Sequence, residues 1–337
     1  MESAGIAGIG VHVPEGRMTA AEIARRSGID EQVLREELGL GEKAIGGPDD
    51  HPSTIGAAAA RRALEHAGVA PEDVGLVICV SISRDYVPSW SMAAKIMNEV
   101  GIRDGFGYDL AAGCAGGLTG LDIAKKWCAS TPRAALIVAA ERWTPSIDYE
   151  RTRPAQALGH ADGGAAAVVR AGGGIEIGPA SFVTYPHLND YFFIPAGGTR
   201  NPPSEETLRE GMHCRQCTDR EQFVEVFKPV YITSYERSIR NVCEAAGIER
   251  PDFLLTNQTA PKVIAAVRET IGLGPEQTFG TLDRYGHLGA ADPFVVLREA
   301  VAAGRDVGEH VVMATSAIHT FGALYLRVKP GALDGWR

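Results

Sequence analysis

Short runs rich in Val, Ile and Leu alternate along this chain with longer segments whose apolar residues recur every three to four positions. That is the pattern of strands buried on both faces between covering helices. The clearest unit reads as a helix over about Ile55 to His66, a stop at Gly68, a turn through Pro71-Glu72-Asp73 and a strand over Gly75 to Ser81. The same order returns as a helix over about Ile232 to Ala246, then Gly247, Pro251-Asp252 and a strand over Phe253 to Thr256. Glu65-His66-Ala67-Gly68-Val69 and Glu244-Ala245-Ala246-Gly247-Ile248 match closely, and the pattern occurs twice rather than as an array. The chain is therefore expected to be an α/β protein with a mostly parallel sheet, made of two related halves. A strand over Ala165 to Val169 leads into Ala171-Gly172-Gly173-Gly174, a glycine-rich junction that assigns residues 1–172 to one half and 173–337 to the other.

From about His187 to Arg220 the periodicity fails, and Gly197-Gly198, Pro202-Pro203 and mixed charge take over. A loop this long is read either as a cover over a substrate tunnel or as a surface insertion. Elsewhere 45% apolar and 22% charged residues over 337 positions give enough apolar surface for two packed halves.

A net charge of -9 with no basic stripe argues against nucleic acid as a partner, because a phosphate backbone demands clustered Lys and Arg. No run approaches the roughly 18 apolar residues of a membrane crossing, and Met1 to Gly5 lacks a basic leader region. A cytosolic protein is expected. Six cysteines in so long a chain do not form a disulfide framework. Cys79, within Leu76-Val77-Ile78-Cys79-Val80, and Cys128 read as small buried hydrophobes. Cys214-Arg215-Gln216-Cys217 is a CxxC with no second ligand pair, so solvated loop cysteines and no metal are expected there.

The candidate chemistry concentrates in Tyr108-Asp109-Leu110-Ala111-Ala112-Gly113-Cys114-Ala115-Gly116-Gly117-Leu118, followed by a helix to about Trp127. A cysteine where a buried helix begins meets the positive end of the dipole, which favours a thiolate. Small neighbours let a backbone N–H approach a bound carbonyl oxygen. Composition alone leaves two readings of Cys114 open: a nucleophile, or a core cysteine in a tightly packed helix.

The stretch resembles the nucleophile motif of ketoacyl-ACP synthase III and its relatives in the thiolase superfamily. Gly8-Ile9-Gly10-Val11-His12-Val13-Pro14, Leu38-Gly39-Leu40-Gly41-Glu42-Lys43, Gly159-His160-Ala161-Asp162-Gly163-Gly164-Ala165, Glu225-Val226-Phe227-Lys228 and Thr281-Leu282-Asp283-Arg284-Tyr285-Gly286 extend the likeness over nearly the whole chain. The resemblance implies a thiolase fold of five αβαβα layers and a homodimer. It implies that Cys114 carries the acyl group, supplied as an acyl-CoA or acyl-ACP thioester with no separate cofactor. It departs from the family at two places. Where the condensing relatives have His in His-Gln-Ala-Asn, this chain has Asn257-Gln258-Thr259-Ala260, and where they have Asn after the Asp-Arg-x-Gly turn it has His287.

The exchange moves the one group able to take a proton near neutral pH. With Asp292 five residues on, the set resembles an acyltransferase branch that uses Cys, His and Asp and passes the acyl group to a hydroxyl, an amine or another small-molecule acceptor, with Asn257 expected to orient the donor or the acceptor by hydrogen bonding. Work in polyketide-type specialised metabolism is implied by the same likeness. Two alternatives remain: decarboxylative condensation, with Asn257 and His287 as two hydrogen-bond donors, and a catalytically silent partner of an active ketosynthase.

The family's C-terminal glycine loop is replaced by Thr315-Ser316-Ala317-Ile318-His319-Thr320-Phe321-Gly322, where Ala317 is the candidate oxyanion N–H and His319 a candidate tunnel residue. Trp90, Trp143, Phe192 and Phe193 are further tunnel candidates, and His160 is read as packing. Gly41 stands where the family grips CoA with Arg, which points to a carrier-protein donor; Lys95, Arg215 and Lys262 are candidates for its docking, with ordinary solvated surface as the other and favoured reading of each.

Overall fold

Two helix–strand units carry the architecture, and both helices stop in the same way. In the computed structural model, which describes residues 2–87, 89–152 and 155–336, helix α1 covers Pro52–Ala67. It ends where Gly68 turns left-handed at φ 59 and Val69 N–H bonds Leu64 O at 3.1 Å. The much longer helix Arg220–Ala246 ends at Gly247, φ 71, with Ile248 N–H on Cys243 O at 3.0 Å. Glycine takes that left-handed closing position without a Cβ penalty. The strands Val74–Cys79 and Phe253–Thr256 follow.

Nine strands form the main sheet: β1 (Ala4–His12), β2 (Val74–Cys79), β3 (Phe106–Asp109), β4 (Ala134–Arg142), β5 (Asp162–Ala171), β6 (Ile175–Thr184), β7 (Phe253–Thr256), β8 (His310–Ala317) and β9 (Thr320–Val328). Their order is β7-β8-β9-β6-β1-β5-β4-β2-β3. The seam between β6 and β1 is short, pairing Gly5 with Glu176 and Ile6 with Ile175. Outward from it, each side runs through two antiparallel pairings and then a parallel one, and the first block adds β3 by a second parallel pairing. The two blocks thus repeat one another, and Gly172 and Gly173 lie in the turn that joins β5 to β6.

The sheet is mixed, not mostly parallel as its sequence pattern suggests. Strands covered on both faces read as continuous apolar runs whatever their direction, so local pattern carries no orientation. β4 shows the double burial: Ala135, Ile137 and Ala139 enter one core, while Leu136, Val138 and Ala140 enter another. α1 and α2 (Met92–Val100) cover the outer face of the first block. α3 (Gly116–Cys128) and the helix Asp292–Ala302 lie between the blocks, in the core shared by Ile137 and Val311. The helices Arg220–Ala246, which we label α4, and Pro261–Thr270, α5, cover the outer face of the second block. With Asp292–Ala302 as α6, the layers run α, β, α, β, α.

Two expectations need correction. α4 begins at Arg220 rather than near Ile232, because Pro229 sits inside it and reads as a helix break. Residues 187–220 are less irregular than their composition implies: Phe192–Phe193 pairs with Gln216–Cys217, and Glu205–Arg209 is helical. Smaller end shifts occur elsewhere, the longest being β5, which extends to Asp162–Ala171 on both sides of the expected strand.

Candidate active site

Cys114 sits in a single tight turn, Gly113–Ala115, between the end of β3 and the start of α3. Gly113 adopts φ 58, and a Cβ there would lie 2.5 Å from the Cβ of Ala317. Only glycine permits both the turn and this contact with the end of β8. The contact brings Ala317, from the second block, beside the cysteine turn. Cys114 itself is buried, 9% exposed.

His287 arrives from the other block on the turn between the short helix Leu282–Tyr285 and α6. Its Nε2 is 3.4 Å from the Sγ of Cys114. Its Nδ1 is 2.5 Å from Oδ2 of Asp292, the first residue of α6. Asp292 is fully buried and accepts two further N–H groups, from Gln258 to Oδ2 at 2.6 Å and from Leu288 to Oδ1 at 2.8 Å. A carboxylate so tied, at a helix N-terminus, has N–H donors in place of water. It also fixes the imidazole with Nδ1–H toward the carboxylate, which leaves Nε2 for the sulfur.

The turn carrying His287 is held from the first block as well. Its N–H donates to Gly159 O at 2.8 Å, and its carbonyl accepts from Ala161 N–H at 3.0 Å. Gln258 adds a clamp, its Oε1 accepting from Thr281 and Leu282 N–H at 2.7 and 3.2 Å. The sulfur–imidazole–carboxylate line is therefore braced by both halves of the chain.

Burial works against a charge on His287, yet Asp292 and Cys114 more than reverse it and push the imidazole pKa up to about 10. Because the folded value exceeds the ordinary 6.5, the folded state holds the extra proton between those pH values. This group's stability contribution is complete below pH 6.5 and is lost as pH rises toward 10. Lys43 acts in the opposite sense, because burial pulls its pKa from 10.5 down to about 7 and the unfolded chain binds more protons in between. A raw pH–stability curve mixes the two. The difference in Tm between the wild type and His287→Gln isolates the histidine, and that gap is expected to shrink as pH climbs from 6.5 to 10. A gap constant across the window means that His287 gains no charge stabilisation from its neighbours.

Asn257 is buried beside the site with its amide already occupied. Oδ1 accepts from Tyr235 Oη at 2.5 Å and from Ser316 N–H at 3.2 Å, and Nδ2 donates to Ser316 O at 3.3 Å. It braces α4 against the end of β8, and no contact joins it to Cys114 among the described residues. Tyr231, one turn from Tyr235, faces the same space, its hydroxyl kept un-ionised first by burial and further by the Cys114 charge. Phe223, Phe227, Tyr231 and Tyr235 make a ladder along α4, with successive ring centroids 4.6, 4.5 and 5.8 Å apart. The i, i+4 spacing of these four aromatics was readable in the sequence.

The other candidates divide. Phe192 packs on Phe223 at the head of that ladder, whereas Phe193 is 43% exposed. Trp143 lies against His160, whose ring in turn meets His287 edge-on at 4.9 Å. Trp90 is placed elsewhere: it contacts Tyr86 and the core under α1 and α2. His319 occupies the β8–β9 hairpin turn, half-buried, with its pKa lowered by burial, and no contact joins it to the sulfur among the described residues. Ile318 in that turn has φ 56, a strained value for a β-branched residue, held where β8 meets the Cys114 turn.

Two of the three basic residues weighed for carrier docking stay on the solvated surface and one does not. Lys95 bonds Glu99, Lys262 faces Glu37 at 4.0 Å, and Arg215 turns inward to His160. Nor is Cys214 solvated, being buried, although Cys217 is partly exposed. At Gly41 the carbonyl of Asp283 lies 2.6 Å from where a Cβ would stand, so no arginine fits that backbone.

The family described as 3-oxoacyl-[acyl-carrier-protein (ACP)] synthase III matches residues 108–186, and its C-terminal part matches residues 240–328. The β-ketoacyl-[acyl-carrier-protein] synthase III of Symbiobacterium thermophilum is 31% identical over 96% of this chain and 97% of its own length. The chain belongs to the 3-oxoacyl-ACP synthase III family. The priming β-ketosynthase of the R1128 polyketide biosynthetic pathway superposes with a TM-score of 0.84 at 23% identity, covering 97% of each chain. The 3-oxoacyl-ACP synthase III of Aquifex aeolicus does so at 0.81 and 23%, covering 96% of this chain and 99% of that one. These likenesses make the five-layered arrangement a thiolase fold. This family member is an enzyme of ketosynthase III type, a group whose chemistry is acyl transfer or condensation. Among its described residues no helix is long and apolar enough to cross a membrane, and no cluster of three His, Cys, Asp or Glu side chains is placed to hold a metal.

Proposed function

We propose that this enzyme takes an acyl group from a carrier-protein or CoA thioester onto Cys114 and passes it to a hydroxyl, an amine or another acceptor without decarboxylation. The unbroken line from Sγ through the imidazole to a buried carboxylate carries the reading. Sγ, its proton taken by His287 Nε2, attacks the donor carbonyl, and the C–S bond to the carrier breaks as the imidazolium protonates the leaving thiolate. Neutral His287 then removes the acceptor's proton as the acceptor attacks the Cys114 thioester, and the sulfur leaves. Asp292 accepts the Nδ1–H throughout and stabilises the imidazolium. Ala317 N–H, beside the cysteine turn, is the proposed donor to the oxyanion.

Asn257 is proposed to shape the site rather than to contact the reacting atoms, since its amide is bound to Tyr235 and Ser316. The absence of space for an arginine at Gly41 supports a carrier-bound donor. No cofactor enters these steps. The family likeness supports a homodimer, and the R1128 ketosynthase likeness supports a place in polyketide-type metabolism.

A second reading, decarboxylative condensation, is favoured by the β-ketoacyl synthase III names of the relatives. The two part in one assay. With acyl donor, malonyl thioester and hydroxyl or amine acceptors present, transfer is expected to yield ester or amide with no CO₂. Carbon dioxide released in step with product would instead establish condensation.

A further inference from the structure

Lys43 is a basic group near the active site that the acyl-transfer scheme leaves idle. It lies on the short strand Glu42–Ile45, which pairs with Gly16–Thr19, and its side chain is fully buried. Its Nζ donates to Leu158 O at 2.7 Å and to His160 O at 3.0 Å. Those two carbonyls flank that of Gly159, which accepts the His287 N–H at 2.8 Å. Ala161 N–H, one residue further on, donates to His287 O at 3.0 Å. The backbone of His287 therefore rests on a ledge, residues 158–161, that the Lys43 side chain grips. Gly286 shows how close the fit is. A Cβ there would stand 2.6 Å from Gly159 O, 2.7 Å from the Ala161 Cβ and 2.9 Å from the Lys43 Cβ.

Volume alone does not call for a lysine here. A methionine has similar reach and an apolar tip, whereas an ammonium withdrawn from water is costly without a counter-ion. Among the described residues no carboxylate comes within ion-pair distance of Lys43. Asp162 does not serve, because its oxygens accept Thr144 N–H at 3.0 Å, Gly46 N–H at 2.8 Å and the Thr144 hydroxyl at 2.5 Å. The Tyr149 ring, 5.0 Å from Nζ, offsets part of the burial. Burial nevertheless pulls the Lys43 pKa down to about 7. Charged or neutral, Nζ keeps an N–H for each carbonyl, and a methionine has none to give. The ledge held in this way sets where the His287 ring stands. That ring has to meet the Cys114 sulfur through Nε2 and Asp292 through Nδ1 at once. Misplacing a reacting group by about 1 Å can slow a reaction on the order of 100-fold.

We propose that Lys43 is a positioning residue: through the carbonyls of Leu158 and His160 it fixes the backbone of His287, and with it the aim of Nε2 at the sulfur and at the acceptor's proton. Lys43 itself touches no substrate and moves no proton. The inference rests on the acyl-transfer reading, because Lys43 acts only through the base of that scheme.

A double-mutant cycle on the full chain tests it, read as the rate at which acyl-enzyme discharges to acceptor. Lys43→Met is expected to slow discharge by about 10- to 100-fold through kcat, with the acceptor KM unchanged. In a His287→Ala background the same substitution is expected to change the rate by about twofold or less, since the group it positions is gone. Lys43→Arg, which keeps N–H donors at the end of a long side chain, should regain most of the rate. Should Lys43→Met not fold, Lys43→Gln, whose amide ends short of the two carbonyls, takes its place in the cycle. Equal losses in both backgrounds overturn the proposal, because Lys43 then serves the fold at large. A wild-type rate from Lys43→Met overturns it too, as does failure of both variants to fold. If His287→Ala discharges as fast as the wild type, the acyl-transfer reading falls and this inference with it.

Discussion

A Cys114→Ala protein is expected to keep its unmodified mass after exposure to any acyl thioester that labels the wild type, and to lose turnover by on the order of 10⁴-fold or more. The size follows from what the sulfur does. Every bond made in the first half-reaction is to Sγ, and burial raises the pKa of each of the other thiols, Cys79, Cys128, Cys214, Cys217 and Cys243. The substitution removes one heavy atom at a small buried site, so folding should be nearly unaffected, a change of about 1 kcal/mol. Acyl labelling of the variant at the wild-type level would remove Cys114 from the mechanism.

Changing the imidazole should separate the two half-reactions. His287→Ala is expected to accumulate acyl-enzyme that does not discharge to acceptor, with transfer slowed by about 10²- to 10⁴-fold, the range of a lost general base. Asp292→Asn should approach the upper end, because an amide holds the imidazole in the wrong tautomer or presents N–H where N–H already points. The hydrogen bonds decide this. Both carboxylate oxygens accept backbone N–H groups, from Gln258 and Leu288, so one of them must face an NH₂ whichever way the amide sits. A stability loss of about 2 kcal/mol should accompany the kinetic one. Rapid-quench measurement of acyl-enzyme decay with and without acceptor checks both. Wild-type discharge by His287→Ala would leave the imidazole without a role in transfer.

The strength of these expectations reflects how local the reading of the site was. Cys114 was legible because a small-residue turn before a helix is a short-range feature, and Gly113 shows why: its missing side chain is what lets the second half of the chain touch the turn. His287 and Asp292 were legible through their offset from a recognisable turn, together with the family likeness. That Nε2 would stand 3.4 Å from the sulfur was not, since the two residues are 173 positions apart. The role of Asn257 shifted for a related reason. Its place in the motif marks it for substrate, but Tyr235 and Ser316, from a helix and a strand distant in sequence, take up its amide. Trp90 and His319 were chosen for side-chain type, and the fold sends Trp90 to the core under the outer helices and His319 to a hairpin turn.

Arg215 is the sharpest contrast. By composition it belonged to a polar loop and to a surface patch, and nothing within ten residues of it marks an active site. Its place depends on the two-residue pairing of Phe192–Phe193 with Gln216–Cys217, too short to leave a periodic signal.

Repeated periodicity, glycine helix stops and the cysteine turn were enough to point to paired α/β halves and to a candidate nucleophile, because each is written in neighbouring residues. Strand direction, the length of α4 across Pro229, the sulfur–imidazole–carboxylate alignment and the inward turn of Arg215 came from folding. Each depends on which distant surfaces are buried against each other, and burial on both faces erases from the local pattern the orientation that the packing selects.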